Sequence, residues 1–186
     1  MISAKLAYQS LLSKDPTRSE WWYQIWDWKI PLQISICCWL ALENCLLSWD
    51  NLIRRGISSL SICLLCGQNE ESIFHLFVAC SHCILVWKRI GLIINDNFPW
   101  SEDSLSTSFC CWCRKYPGWK TLPCFILWEL WRYRNLIIFE GNQIYHSEVA
   151  NKGLKAFIES RGISPMGAWF VKELGCQRIW FLHKGW

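Results

Sequence analysis

Cys63-Leu-Leu-Cys66, eight further residues, and then His75-Leu-Phe-Val-Ala-Cys80 make a C-x2-C…H-x4-C pattern in the middle of the chain. Two thiolates three residues apart can hold one ion from a tight turn, and a His and a Cys about one helical turn later can complete a tetrahedron. Structural zinc sites use this composition, Cys3His, at this kind of spacing. Cys63, Cys66, His75 and Cys80 are therefore the expected metal ligands, and Zn2+ the expected ion. Competing residues fail on reach. In a helix running from Ile73, His82 lies roughly 10 Å and Cys83 roughly 12 Å along the axis from His75, at about 1.5 Å per residue. Ligand atoms on one zinc sit within roughly 4 Å of each other. Cys80 is closer, but five positions on a regular helix overshoot a full turn by about 140°, so the helix is expected to tighten or break between the two ligands. A second reading of Cys80 stays open. Ile73, Phe77, Cys80, Ile84 and Trp87 recur at 4-3-4-3, an amphipathic stripe in which a cysteine is simply a small hydrophobe.

Around this stretch the chain is apolar and rich in indole: 186 residues, 52% hydrophobic, 18% charged, 15 tryptophans. The length allows one domain with a real core, or a small domain with an appendage. That much tryptophan exceeds what a 22.0 kDa core can enclose, so an exposed patch is expected, the mark of a partner surface or of a fragment of something larger. Twelve cysteines would suit a disulfide scaffold. The opening Met-Ile-Ser-Ala-Lys-Leu-Ala-Tyr-Gln-Ser has no basic segment feeding an apolar one, so an intracellular, reducing compartment is expected. No apolar run reaches the roughly 18–20 residues of a membrane span. Pro31 to Trp49 comes nearest, is broken by Gln33, Glu43 and Asn44, and reads as a buried helix.

Spacing and punctuation predict a mainly α fold: a small helical domain organised around the Cys3His module, with an irregular C-terminal tail. Ser3 can cap a short helix carrying Leu6, Tyr8, Leu11 and Leu12. Trp21, Trp22, Ile25, Trp26 and Trp28 lead into Pro31, which opens a helix with Ile34, Cys38, Ala41 and Cys45 at helical spacing. Ser48 to Arg55 reads as another helix, with Leu52 and Ile53 inward and Gly56 as its stop. Ser72 is the expected N-cap of the helix carrying His75. Asn95 to Ser108 is polar, contains Pro99 and reads as loop. Long helices follow from about Leu122 to Phe139, ended by Gly141, and from His146 to about Ser160; Ala168–Val171 and Ile179–Leu182 have the look of short strands. The resulting organisation is a helical zinc module over 1–92, a linker over 93–119, a helical extension over 120–161 and a tail over 162–186. Cys110-Cys-Trp-Cys113, with Cys124 as nearest neighbour, lacks a downstream ligand pair and is not expected to bind metal.

The net charge of +4 decides nothing alone, and the local distribution matters more. From Arg114 to Arg134 five basic residues (Arg114, Lys115, Lys120, Arg132, Arg134) face one acid, Glu129, interleaved with Trp112, Tyr116, Trp119, Trp128, Trp131 and Tyr133. Cations for phosphates and ring faces for stacked bases are what a single-stranded nucleic acid requires; the competing reading makes the rings core and the cations a solvated face. Arg54 and Arg55, at the edge of the metal site, are candidate contacts too, or else the basic end of a short helix.

In order along the chain, Ser3-Ala-Lys-Leu-Ala-Tyr8, Ile25-Trp26, Ile30-Pro31, Trp39, Asp50-Asn-Leu52, Arg54-Arg55-Gly56, Cys63-x2-Cys66, Glu71-Ser72, His75-Leu-Phe77, Cys80 and Val86-Trp87 resemble the zinc-binding domain that follows reverse transcriptase in plant non-LTR retrotransposons. Trp128-x2-Trp131-x2-Arg134-Asn135 and Phe139 are similar to a segment that often follows in these elements, so the resemblance covers roughly residues 3–140. It departs at Gln33, where the family has a basic residue, and at Cys37, where an aromatic is common. It implies zinc held by Cys63, Cys66, His75 and Cys80, and partners that are RNA or DNA and the reverse transcriptase portion of a parent element, from which this chain reads as a detached piece. No Asp-Asp pair on a hairpin is present, and two-metal chemistry needs converging carboxylates; Asp96, Glu102 and Asp103 sit in a loop, Glu70 and Glu71 read as a solvated one, and the C-terminal forty residues do not resemble ribonuclease H. The expectation is therefore a non-catalytic, nucleic-acid-binding accessory module without a small-molecule substrate. The alternative is a zinc-stabilised module that packed on the polymerase and is now a remnant.

Overall fold

The computed structural model describes residues 21–57, 61–96, 100, 103–141 and 145–162, with backbone alone at 21–23; the helix expected after Ser3 and the two C-terminal strands lie outside them. Helices α1 (Trp21–Asp27), α2 (Leu32–Leu42) and α3 (Trp49–Arg54) precede a single π-helical turn (His75–Ala79). Then come α4 (Ser81–Ile94), α5 (Leu105–Lys115), a 3-10 turn (Pro117–Trp119), α6 (Leu122–Glu140) and α7 (His146–Ser160). The fold is mainly α, as expected. Among the described residues the β pairing is an isolated antiparallel bridge, Ile62 to Glu70, and no helix is long and apolar enough to cross a membrane.

Each helix follows from local chemistry. Pro31, with φ fixed at −54°, starts α2, whose Ile34, Cys37, Cys38 and Ala41 are buried along one face. Asn44 then turns left-handed at φ 55°, so Cys45 falls past the helix end and is exposed rather than continuing the stripe. Ser48 opens α3, but its hydroxyl donates to the Asp50 carboxylate at 2.5 Å instead of accepting from the backbone. The inward residue of α3 is Asn51, not Ile53. The Asn51 amide donates to the carbonyls of Asn44 at 2.9 Å and Leu46 at 2.8 Å, while Ile53 remains exposed.

The expected 93–119 linker is corrected by α5. Ser104 Oγ accepts the Thr107 N–H at 3.0 Å, an N-cap, and Leu105, Phe109 and Trp112 recur at i, i+4 and i+7 on the buried face. This spacing was present in the sequence, and Pro99 and the nearby polar run masked it. The 1–92 and 120–161 segments share one apolar core: α2 and α7 both pack on α6, α4 packs on α7, and buried residues from all four belong to one cluster.

Among the described residues, indole fills much of that core. Trp87 and Trp100 stack with centroids 3.8 Å apart, Trp112 meets Trp100 edge-on at 5.9 Å, and the Trp112 N–H donates to the Trp119 carbonyl at 2.8 Å. Of these rings none is more than 9% exposed; Trp26, at 44%, is the one described indole among the exposed large apolar side chains.

Where α7 crosses α6, a Cβ on Gly153 would lie 2.6 Å from Ile126 Cδ1 and 3.5 Å from the Phe125 carbonyl. Gly153→Leu improves helix propensity yet overfills this crossing. We expect it to destabilise the fold by about 1–3 kcal/mol, read as a lower midpoint in chemical denaturation; an unchanged or higher midpoint would show that the helices cross elsewhere.

Candidate metal centre

The first ligand pair is built by a closed loop. The Cys63 N–H donates to the Asn69 carbonyl at 2.8 Å, the Glu71 N–H to the Ser61 carbonyl at 2.7 Å and the Gly67 N–H to the Cys63 carbonyl at 2.7 Å. Gly67 takes φ 65°, a left-handed conformation that costs glycine little. Within this turn the backbone N–H groups of Leu65 and Cys66 point at the Cys63 sulfur.

The second pair comes from an irregular helix. Ser72 Oγ accepts the His75 N–H at 3.0 Å, the predicted cap. The chain then widens into the π-helical turn, closed by the Cys80 N–H on the His75 carbonyl at 2.7 Å, and breaks at Cys80, which is extended at φ −64°, ψ 135°. The five-residue spacing predicts tightening or a break between the two ligands. The break occurs, but the turn widens, because an i→i+5 bond brings His75 and Cys80 to the same side. The 4-3-4-3 stripe is accordingly interrupted, and α4 restarts it with Cys83, Val86, Trp87, Ile90 and Ile94. The break also deprives the last turn of helical partners; the indole N–H groups of Trp87 and Trp100 donate to the Phe77 carbonyl at 3.3 and 3.0 Å in their place.

Cys63, Cys66, His75 and Cys80 come together, with one ligand atom from each lying within 4.8 Å of the others. Cys63 Sγ is 4.0 Å from Cys80 Sγ, and Cys66 Sγ is 3.3 Å from His75 Nε2. Tetrahedral zinc with Zn–S of about 2.3 Å and Zn–N of about 2.0–2.1 Å sets a sulfur–sulfur edge near 3.8 Å and a sulfur–nitrogen edge of about 3.5 Å, so each of these two edges is within a few tenths of an ångström of the length an ion would set. The electrostatics suit a cation. The Cys80 thiol is held below its ordinary pKa mainly by the hydrogen bond from Cys63, helped by the N–H groups of Cys83 and His82 at the start of α4. The same hydrogen bond and burial push Cys63 up, and an ion bound here would displace its proton. Burial lowers the pKa of His75 against an opposing pull from Glu71, keeping the imidazole neutral and its lone pair available. His82 and Cys83 are not in the group.

The remaining cysteines form no second centre among the described residues. Burial pushes Cys37 and Cys113 up to about 12, and Cys38 is raised by burial and by its hydrogen bond with Cys124. Cys37, Cys38 and Cys124 are core thiols, and the half-buried Cys113 packs against that core.

The candidate nucleic-acid residues are dispersed. Arg54 pairs with Asp50 at 3.1 Å, Lys115 with Asp96 at 3.0 Å and Arg132 with Glu129 at 3.1 Å. Lys120 sits over the Trp28 ring at 5.8 Å, and Arg55 and Arg114 are exposed. Arg134 is a correction. Its side chain is 4% exposed and bound to the fully buried Glu71, Nη2 to Oε1 at 2.7 Å, so it cannot meet a phosphate. Glu71, expected in a solvated loop, is instead the anionic half of a buried pair that links residues far apart in sequence. The rings of Trp112, Trp119 and Tyr133 are likewise core.

Residues 3–87 match the family described as zinc-binding in reverse transcriptase. Over that stretch the chain is similar to the family. The reverse-transcriptase zinc-binding match contains all four clustered ligands and ends inside α4. A protein of Arabidopsis thaliana described as a ribonuclease H protein is 24% identical over an alignment 151 residues long that covers 76% of this chain and 24% of the relative. The chain thus spans about a quarter of that relative's length. No solved structure matches it. The matched stretch thus contains a Cys3His group whose ligand atoms converge.

Proposed function

We propose that this domain holds one structural Zn2+ through Cys63, Cys66, His75 and Cys80 and acts as a non-catalytic accessory domain of a retrotransposon protein, contacting RNA or DNA through phosphates. The observation that carries the reading is the convergence of four Cys3His ligand atoms from two separately built turns. Four protein ligands close a tetrahedral shell, whereas catalytic zinc keeps a position open. With the rings of Trp112, Trp119 and Tyr133 buried, contact falls mainly to the exposed cations Arg54, Arg55, Arg114, Lys115, Lys120 and Arg132, which recognise charge rather than sequence. Single-stranded RNA is then expected to bind with an affinity that falls steeply as salt rises. Arg54→Ala with Arg55→Ala should flatten that dependence, and Arg114→Ala with Lys120→Ala should do the same. Absence of binding at low salt would remove the nucleic-acid half of the proposal.

A second reading has its own support. Ile57, Ile62, Leu64 and Phe74, in and beside the ligand turns, are 41–50% exposed, and apolar side chains in that position suit packing on the polymerase portion of a parent protein.

A further inference from the structure

We propose that Arg134, on a helix beyond the reach of the family match, is a positioning residue for the metal site, and that the metal-binding unit therefore includes α6. This rests on the zinc reading above. Glu71 is the joint between the two ligand pairs: Cys63 and Cys66 lie in the loop that its N–H closes on Ser61, and the next residue, Ser72, caps the turn carrying His75. From α3, the Asp50 N–H donates to the Glu71 carbonyl at 3.3 Å and the Trp49 N–H to Glu71 Oε1 at 3.0 Å. From α6, Arg134 Nε lies 3.2 Å from both carboxylate oxygens and Nη2 2.7 Å from Oε1. The guanidinium is 5.1 Å from the centroids of both Trp49 and Trp131, and its Nη1 donates to Asn135 Oδ1 at 3.1 Å.

A carboxylate without solvent stays in place only while its counter-charge is present. Remove Arg134 and the Glu71 side chain is drawn toward water, taking with it the joint that fixes one ligand pair against the other. Lysine is a poor substitute, since an ammonium cannot fork across both oxygens and lie flat between two rings. The Trp131-x2-Arg134 spacing of α6 is thus part of the metal site's support.

Zinc affinity of the full chain, measured by competition with a chromophoric chelator, together with the absorption spectrum of its Co2+ form, tests this. Arg134→Met should weaken zinc binding by about 10–100-fold, the usual cost of losing a residue that orients metal ligands, and alter the cobalt bands; Arg134→Lys should recover only part of the loss. Phe157→Ala, which strips a ring from Trp119 and Phe125 away from the ligand turns, controls for general destabilisation and should leave the cobalt spectrum unchanged. Because Arg134→Met can fail to fold, the double variant Glu71→Gln with Arg134→Met removes both charges, and it should fold yet still bind zinc more weakly than the parent. Parental affinity and spectrum in Arg134→Met or in the double variant would overturn the proposal, as would an affinity loss in Arg134→Met no larger than that of Phe157→Ala at equal stability. A parent chain that binds no zinc would instead overturn the metal reading itself.

Discussion

Cys63→Ser and His75→Ala are each expected to abolish stoichiometric zinc and, with it, most of the helical circular-dichroism signal, and strong chelator should do the same to the parent chain. The size of the effect follows from what the ligands otherwise do. The Ser61–Glu71 loop has little apolar content of its own facing inward, and the π-helical turn is a weak local structure that a regular helix would replace. On the zinc reading, both would be held in register by the ion. Structural zinc supplies on the order of 10 kcal/mol or more of folding free energy, comparable to the entire stability of about 5–15 kcal/mol for an ordinary domain. Losing it is therefore a folding defect. Cys113→Ser is the contrast: its half-buried thiol lies outside the group of converging ligand atoms, and that variant is expected to keep its zinc. A Cys63→Ser chain with parental helix content would show that the core alone holds the fold.

Trp112→Ala carries the next largest loss, about 3–5 kcal/mol, measured by denaturant unfolding of the zinc-loaded protein. Its ring meets Trp87, Trp100 and Tyr116 with centroids 4.7–5.9 Å away, and its N–H satisfies the Trp119 carbonyl. Alanine opens a cavity that these rigid rings cannot close and strands that carbonyl. Trp112→Phe separates the two effects, keeping most of the packing while losing the hydrogen bond, for a cost nearer 1–3 kcal/mol. A loss under about 1 kcal/mol for the alanine variant would mean that the indole faces solvent, as the aromatic and basic interleaving of this stretch first suggested.

The parts legible in the sequence were those set by local rules. C-x2-C and H-x4-C name ligands by reach along a few residues, Ser72 caps by its own hydroxyl, and Gly141 ends α6 with the left-handed φ of 67° that it adopts. Pairing between distant elements was not legible. Arg134 and Glu71 look like two solvated charges until α6 is laid against the ligand loop, and no periodicity within either segment signals the partner. The same limit hid the fate of the rings: Trp112 and Trp119 interleave with basic residues because α5 and the turn after it are amphipathic, and an inward ring beside an outward cation reads, on paper, like a base-stacking surface. The widened turn at His75 fell between these cases. Its need was visible in the five-residue spacing, but whether the helix would tighten or widen depended on Phe77, whose carbonyl two indoles outside the turn satisfy.

Native mass spectrometry of the full chain, purified without added metal and with its thiols reduced, tests the central claim most directly. One zinc per chain is predicted, with none on Cys63→Ser and one retained on Cys113→Ser; a folded parent chain carrying no metal would contradict it.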